Sequence, residues 1–126
     1  MEKLVSTIGG LEEYTFTGSH FVASYYMCDR NILDDLELLR IYLKEAVIAA
    51  GATLLNMVDY QFKPSGVTLV ALLSESHASI HTYPELGACF VDLFTCGTTC
   101  DYRGFHDYLS KALKAQVIND LHFNRS

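Results

Sequence analysis

Residues 67–97 read VTLVALLSESHASIHTYPELGACFVDLFTCG, and they decide the fold. Val67–Leu73 is a nearly continuous apolar run behind the turn-forming Lys63-Pro64-Ser65-Gly66, so it reads as a buried strand. Ser79–Thr82 continues as extended chain, Tyr83-Pro84-Glu85-Leu86-Gly87 turns it, and Ala88–Phe94 is strand-like again. Strands this close in sequence, joined by short turns, predict antiparallel neighbours in one sheet.

Upstream, Gly18–Tyr26 (GSHFVASYY) is aromatic and rich in strand-forming residues, which predicts a strand. Asp29 or Asn31 is placed to cap a helix over Ile32–Ala50. Ile32, Leu36, Leu39, Leu43 and Val47 form its apolar stripe, and Gly51 stops it. Asp34, Asp35 and Glu37 read as the solvated, dipole-favoured start of that helix. Thr53–Gln61 is a further strand. Downstream, residues 97–102 read as a loop. Gly104–Ala115 is a second helix, with Phe105, Leu109 and Leu113 one turn apart, and Gln116–Phe123 is a last strand. Residues 1–15 show no period and read as an irregular lead-in.

The order is β-α-β-β followed by β-β-α-β, so the halves are faintly alike in order (β-α-β-β twice in outline), with no clear sequence repeat. It predicts an α/β (α+β) two-layer sandwich: one mainly antiparallel sheet with two helices on one face. The open face of such a sheet must be polar or covered, and a second copy would cover it.

The chain has 126 residues, a one-domain length, and half of them are apolar. Its formal net charge is −6 with no basic run, which argues against a nucleic-acid partner. No stretch approaches a membrane span, and the first residues lack the apolar core of a signal peptide, so a cytoplasmic, membrane-free protein is expected. Cys28, Cys89, Cys96 and Cys100 then read as free thiols. Cys96 and Cys100 have CxxxC spacing but no second paired cluster, so no metal site is expected.

Chemistry concentrates between Leu73 and Gly97, where Ser74, Glu75, Ser76, His77, Ser79, His81, Thr82, Glu85, Asp92, Thr95 and Cys96 interrupt buried strands. Buried polar groups need partners, so this density means either a satisfied network or an active site. Taken singly, each residue has an ordinary reading. Ser76 would be a turn residue, His81 a core histidine, Cys96 a small hydrophobe, Phe62 a core aromatic and Glu85 an exposed loop charge. His20, His106 and His122 read as structural or solvated.

Their combination resembles the bacterial and archaeal S-adenosylmethionine decarboxylase family. The resemblance rests on Ser74-Glu75-Ser76-His77, Ile80-His81-Thr82-Tyr83-Pro84-Glu85 and Asp92-Leu93-Phe94-Thr95-Cys96-Gly97, supported by Gly18-x-His20, Cys28-Asp29 and Phe62-x-Pro64-x-Gly66-Val67-Thr68. It implies a zymogen that cuts itself between Glu75 and Ser76 into residues 1–75 and 76–126, with Ser76 Oγ attacking the Glu75 carbonyl. Elimination and hydrolysis leave a covalent pyruvoyl group in place of Ser76, the carbonyl that forms a Schiff base with the substrate amine and draws electrons as carbon dioxide leaves. By the same resemblance His81 is the acid/base of processing and Cys96 the proton donor of decarboxylation. Thr68 is the processing hydroxyl, at a position where the family often has serine. Phe62 and Tyr83 match aromatics that would sandwich adenine, and Glu85 matches a glutamate on the ribose hydroxyls. The family places its sites at the interface of a homodimer whose fragments stay together. The implied function is supply of the aminopropyl donor for polyamine (spermidine) synthesis. Two other readings are compatible with the sequence. One is a pyruvoyl decarboxylase of ornithine or arginine; the other is an uncleaved regulatory partner of an active paralogue.

Overall fold

A computed structural model describes residues 3–4, 14–74, 76–96 and 98–126. Its elements in chain order are β1 (Lys3–Leu4), β2 (Tyr14–Thr15), β3 (Gly18–Tyr26), α1 (Arg30–Leu33), α2 (Leu36–Ala49), β4 (Leu54–Gln61), β5 (Val67–Leu73), β6 (Ser76–Tyr83), a 3-10 turn (Pro84–Leu86), β7 (Ala88–Thr95), α3 (Tyr102–Ala112) and β8 (Val117–Arg125). β1 and β2 form a two-residue ladder of their own within the lead-in. The other six strands form one antiparallel sheet in the order β4-β5-β6-β7-β3-β8. The two-layer α+β sandwich expected from the sequence is therefore present.

Alternation builds the core. Rows run straight across the sheet: Ala71, Ala78, Leu93 and Phe21 form one, and Leu69, Ile80, Val91 and Ala23 the next. All eight side chains are buried beneath the helices. Leu39, Leu43, Ala46 and Val47 of α2, and Phe105, Leu109 and Leu113 at α3, close that layer. Gly104 lets the two helices touch, because a β-carbon there would collide with the Ala49 carbonyl.

Several boundaries differ from the sequence reading. The helix expected over 32–50 is two helices. Asp29 caps α1 by accepting from the Asn31 and Ile32 amides, and Asp35 caps α2 by accepting from Leu38 N. Two capping carboxylates so close restart the helix rather than let it run through. Ser76, read as a loop residue, is the first residue of β6. The last helix and strand are also displaced, to Tyr102–Ala112 and Val117–Arg125.

The opposite face of the sheet has no layer over it among the described residues. Val58, Tyr60, Val70, Leu72, Phe90 and Leu121 are all exposed there. Among the described residues no helix is long and apolar enough to cross a membrane.

Candidate active site

The β4–β5 hairpin and the start of the 3-10 turn enclose a cleft of about 510 Å³. Phe62, Thr68, His81, Tyr83 and Glu85 all line it, together with Gly66. Local geometry holds the hairpin tip in place. Gly66 has φ +110° and its α-carbon faces the Thr82 carbonyl, where a β-carbon would sit 3.2 Å away, so glycine is required. Phe62 N donates to Gly66 O at 2.7 Å. Asp34 Oδ1 accepts from Gly66 N at 2.9 Å and from the Gln61 side-chain amide at 3.1 Å. Thr82 Oγ1 accepts from Val67 N at 2.9 Å and so ties β6 to the root of the hairpin. On the other wall, Gly87 at φ +64° closes the turn that carries Glu85.

Inside the cleft Thr68 Oγ1 lies 3.1 Å from His81 Nδ1, its cross-strand partner, and the imidazole tautomer decides which of them donates. Tyr60 packs edge-on against Phe62 at 4.8 Å, and Phe90 against Tyr83 at 5.7 Å. Both cleft aromatics are thus braced from the side, with their side chains still substantially exposed.

Ser76 and Cys96 lie at the other end of the sheet. Ser76 is 8 % exposed and its hydroxyl donates to Ser74 O at 3.1 Å. One step beyond the ladder pair His77–Phe94, Ser76 comes beside Thr95, which pairs with Ser19. That row is polar and points inward. Thr95 Oγ1 is buried and has no hydrogen-bond partner among the described residues, a free hydroxyl next to the position where the new carbonyl would form. The residues present therefore fit the group that the sequence resemblance implies. Cys96 follows directly, its carbonyl accepting from Thr17 Oγ1 at 3.3 Å. Its sulfur lies within hydrogen-bond reach of the Thr99 hydroxyl at 3.5 Å and the Thr98 hydroxyl at 3.6 Å. Those hydroxyls and the backbone amide of Thr98 hold the thiol at a pKa of about 6.

The candidate residues thus fall into two groups. Ser76 and His81 are five residues apart on one strand, about 17 Å at strand rise, and point to opposite faces. Within one chain the Thr68–His81 pair does not reach Ser76. Glu75, the other side of the expected cleavage, lies outside the described residues.

Other residues are sorted by the same geometry. His77 stacks on Phe94 at 5.7 Å. His106 Nδ1 bonds the buried Tyr25 hydroxyl at 2.7 Å, and His122 Nε2 bonds Ser19 Oγ at 2.7 Å while its ring stacks on Tyr102. Both match their structural reading. Cys28 and Cys89 are buried in mutual contact, and that contact with burial pushes the Cys89 thiol up. Asp34 was missed as a site residue: its place among helix-start acids looks like solvation until the hairpin folds against it.

The family profile of S-adenosylmethionine decarboxylase matches residues 19–126, a span that holds all of these groups. The chain belongs to the S-adenosylmethionine decarboxylase family. It is 42% identical to the S-adenosylmethionine decarboxylase proenzyme of Thermotoga maritima over 108 residues, 86% of this chain and 83% of that one. With the proenzyme of the same name from Thermosipho melanesiensis it shares 45% identity over 102 residues, 81% of this chain and 78% of that one. The crystal structure of the adenosylmethionine decarboxylase from Aquifex aeolicus superimposes with a TM-score of 0.82 at 35% identity, covering 90% of this chain and 93% of that one. The decarboxylase-family sheet and the two groups of site residues therefore stand on a fold shared with a solved relative.

Proposed function

We propose that this protein is a self-processing, pyruvoyl-dependent S-adenosylmethionine decarboxylase whose active sites assemble between two copies of the chain. The observation that carries the reading is the division of the site. Phe62, Thr68, His81, Tyr83 and Glu85 share one cleft, while Ser76 and Cys96 sit at the far end of the same sheet. Assembly of the cleft end of one copy against the β6 start of its partner about a two-fold axis would give two equivalent sites. Such an assembly would also cover Val58, Val70, Leu72 and Phe90, which are exposed on the open sheet face.

In processing, Ser76 Oγ adds to the carbonyl of Glu75, and the imidazole of His81 from the second copy exchanges the proton, oriented by Thr68. The pyruvoyl group that replaces Ser76 supplies an electron-withdrawing carbonyl for decarboxylation of an α-amino acid. Phe62 and Tyr83 offer π-faces for a nucleobase and a sulfonium cation, and Glu85 offers acceptors for ribose hydroxyls. Cys96 Sγ holds the proton that the product α-carbon takes up. A thiol with a pKa of about 6 gains and loses a proton close to neutrality. The product is the aminopropyl donor of polyamine (spermidine) synthesis, and the cytoplasm is the expected compartment.

The test is the intact mass of the denatured protein, followed by carbon dioxide release from S-adenosylmethionine, ornithine and arginine. The proposal expects fragments 1–75 and 76–126, the latter starting with pyruvoyl, and activity on S-adenosylmethionine. A chain that stays whole on long incubation overturns it in favour of a regulatory partner. Cleaved protein that acts on ornithine or arginine instead overturns the substrate.

A further inference from the structure

Cys96 has a neighbour that decarboxylation does not use. Cys100 immediately precedes Asp101, the N-cap of α3. Asp101 N donates to Ala50 O at 2.9 Å and anchors the start of α3 on the end of α2. Thr99 Oγ1 lies 3.5 Å from Cys96 Sγ and 3.9 Å from Cys100 Sγ. Both sulfurs therefore lie against the same hydroxyl. Both thiols are only part-buried, whereas Cys28 and Cys89 are closed off in the core. The chain therefore holds one accessible dithiol, and it includes the proposed proton donor.

We propose that Cys96 and Cys100 are a redox modification site: a hydroperoxide converts them to a disulfide that reversibly switches off the decarboxylase. The switch rests on the reading of Cys96 as proton donor; the disulfide chemistry does not. In the first step the Cys96 thiolate attacks one peroxide oxygen and the O–O bond breaks. The departing oxygen takes up a proton, leaving as water or an alcohol, and Cys96 becomes a sulfenic acid, oxidised by two electrons. In the second step Cys100 Sγ gives up its proton and attacks Cys96 Sγ. The S–S bond forms, the S–O bond breaks, and hydroxide leaves with that proton as water. Two thiols and one hydroperoxide give one disulfide, one water and the reduced peroxide fragment.

The environments suit this order of events. Hydrogen bonds from Thr99 and Thr98 lower the Cys96 thiol pKa, so the attacking thiolate is available at neutrality alongside the protonated form. Burial raises the Cys100 thiol, so it keeps its proton until a sulfenic acid forms beside it. Contact of both sulfurs with the one Thr99 hydroxyl brings the two side chains to one spot, where a disulfide can close. In the disulfide Cys96 has no proton to give. It is also shielded from the irreversible sulfinic step.

The experiment treats the purified, processed protein with hydrogen peroxide, alkylates the remaining thiols and maps the 76–126 fragment by mass without reduction. The expected wild-type result is a Cys96–Cys100 linked peptide lighter by two hydrogens, with activity lost in step and regained in dithiothreitol. Cys100→Ser is expected to keep its basal activity, then lose it irreversibly to peroxide as Cys96 sulfinic acid. Sulfinic acid at Cys96 in the wild type with Cys100 still free would overturn the proposal. So would recovery of Cys100→Ser as complete as that of the wild type. A linked peptide in protein without decarboxylase activity supports the disulfide and overturns only the functional reading on which the switch rests.

Discussion

Ser76 and Cys96 illustrate how local partners set the chemistry of single side chains. Ser76 is nearly buried and its hydroxyl already donates to Ser74 O. Ser76→Ala removes the only atom able to form the ester, so the denatured protein is expected as one 126-residue chain with no carbon dioxide release. At Cys96 the hydrogen bonds to sulfur lower the thiol pKa to about 6. The folded state therefore favours the thiolate, and that preference is lost as pH falls through about 6. Alkylation of Cys96 by iodoacetamide is expected to rise through pH 6 and level off near neutrality, followed by peptide mass. Thr99→Val removes the largest of those hydrogen bonds and moves the midpoint up toward the ordinary thiol value of about 8.5. An unmoved midpoint would assign the shift to the Thr98 amide instead. All the family-motif residues were legible in sequence because they are close together and chemically unlike their apolar surroundings.

At the scale of elements, two contacts carry more than their sequence suggests. Asp34 sits between α1 and α2, yet its carboxylate holds the Gln61–Gly66 hairpin tip that presents Phe62. Asp34→Ala leaves the Gly66 amide without its acceptor and is expected to cost about 1–3 kcal/mol in urea unfolding. A loosened hairpin also raises KM for the substrate while kcat holds, whereas Asp34→Asn, which keeps an acceptor oxygen, recovers most of both. Gly104 is the second contact. It lies inside α3 where α2 passes over it, and a β-carbon meets the backbone of Ala49. Gly104→Ala is expected to destabilise by about 1–3 kcal/mol despite its better helix propensity, read as a lowered Tm in calorimetry. Neither role could be read from the sequence. Asp34 pairs with a segment some thirty positions away, and Gly104 matters only because of the crossing of two helices.

For the whole molecule, the division of the site makes a direct demand on assembly. His81→Ala and Ser76→Ala chains are each expected to stay uncleaved when produced alone. Mixed in one cell, the His81→Ala chain is expected to be cleaved, because its intact Ser76 meets His81 of the Ser76→Ala copy. Mass spectrometry of the mixture reads this directly. Cleavage of His81→Ala on its own would sink the shared-site arrangement. Leu72→Asp, on the exposed apolar sheet face, is expected to give a monomer in sizing that no longer processes itself.

The sequence by itself determined the fold class, the strand content and the chemical inventory. Alternation of apolar residues, turn residues at the hairpins and the Ser76, His81 and Cys96 motifs are local patterns, written in a few consecutive positions. Only the tertiary structure decided where those groups stand. Once β6 begins at Ser76, an offset of five residues turns His81 to the opposite face and carries it about 17 Å away. Placing β3 between β7 and β8 puts Ser19, Thr95 and Ser76 in one inward row at the far end from the cleft. Strand parity and non-local pairing follow from how the whole sheet closes its core, and no short stretch of chain contains that information.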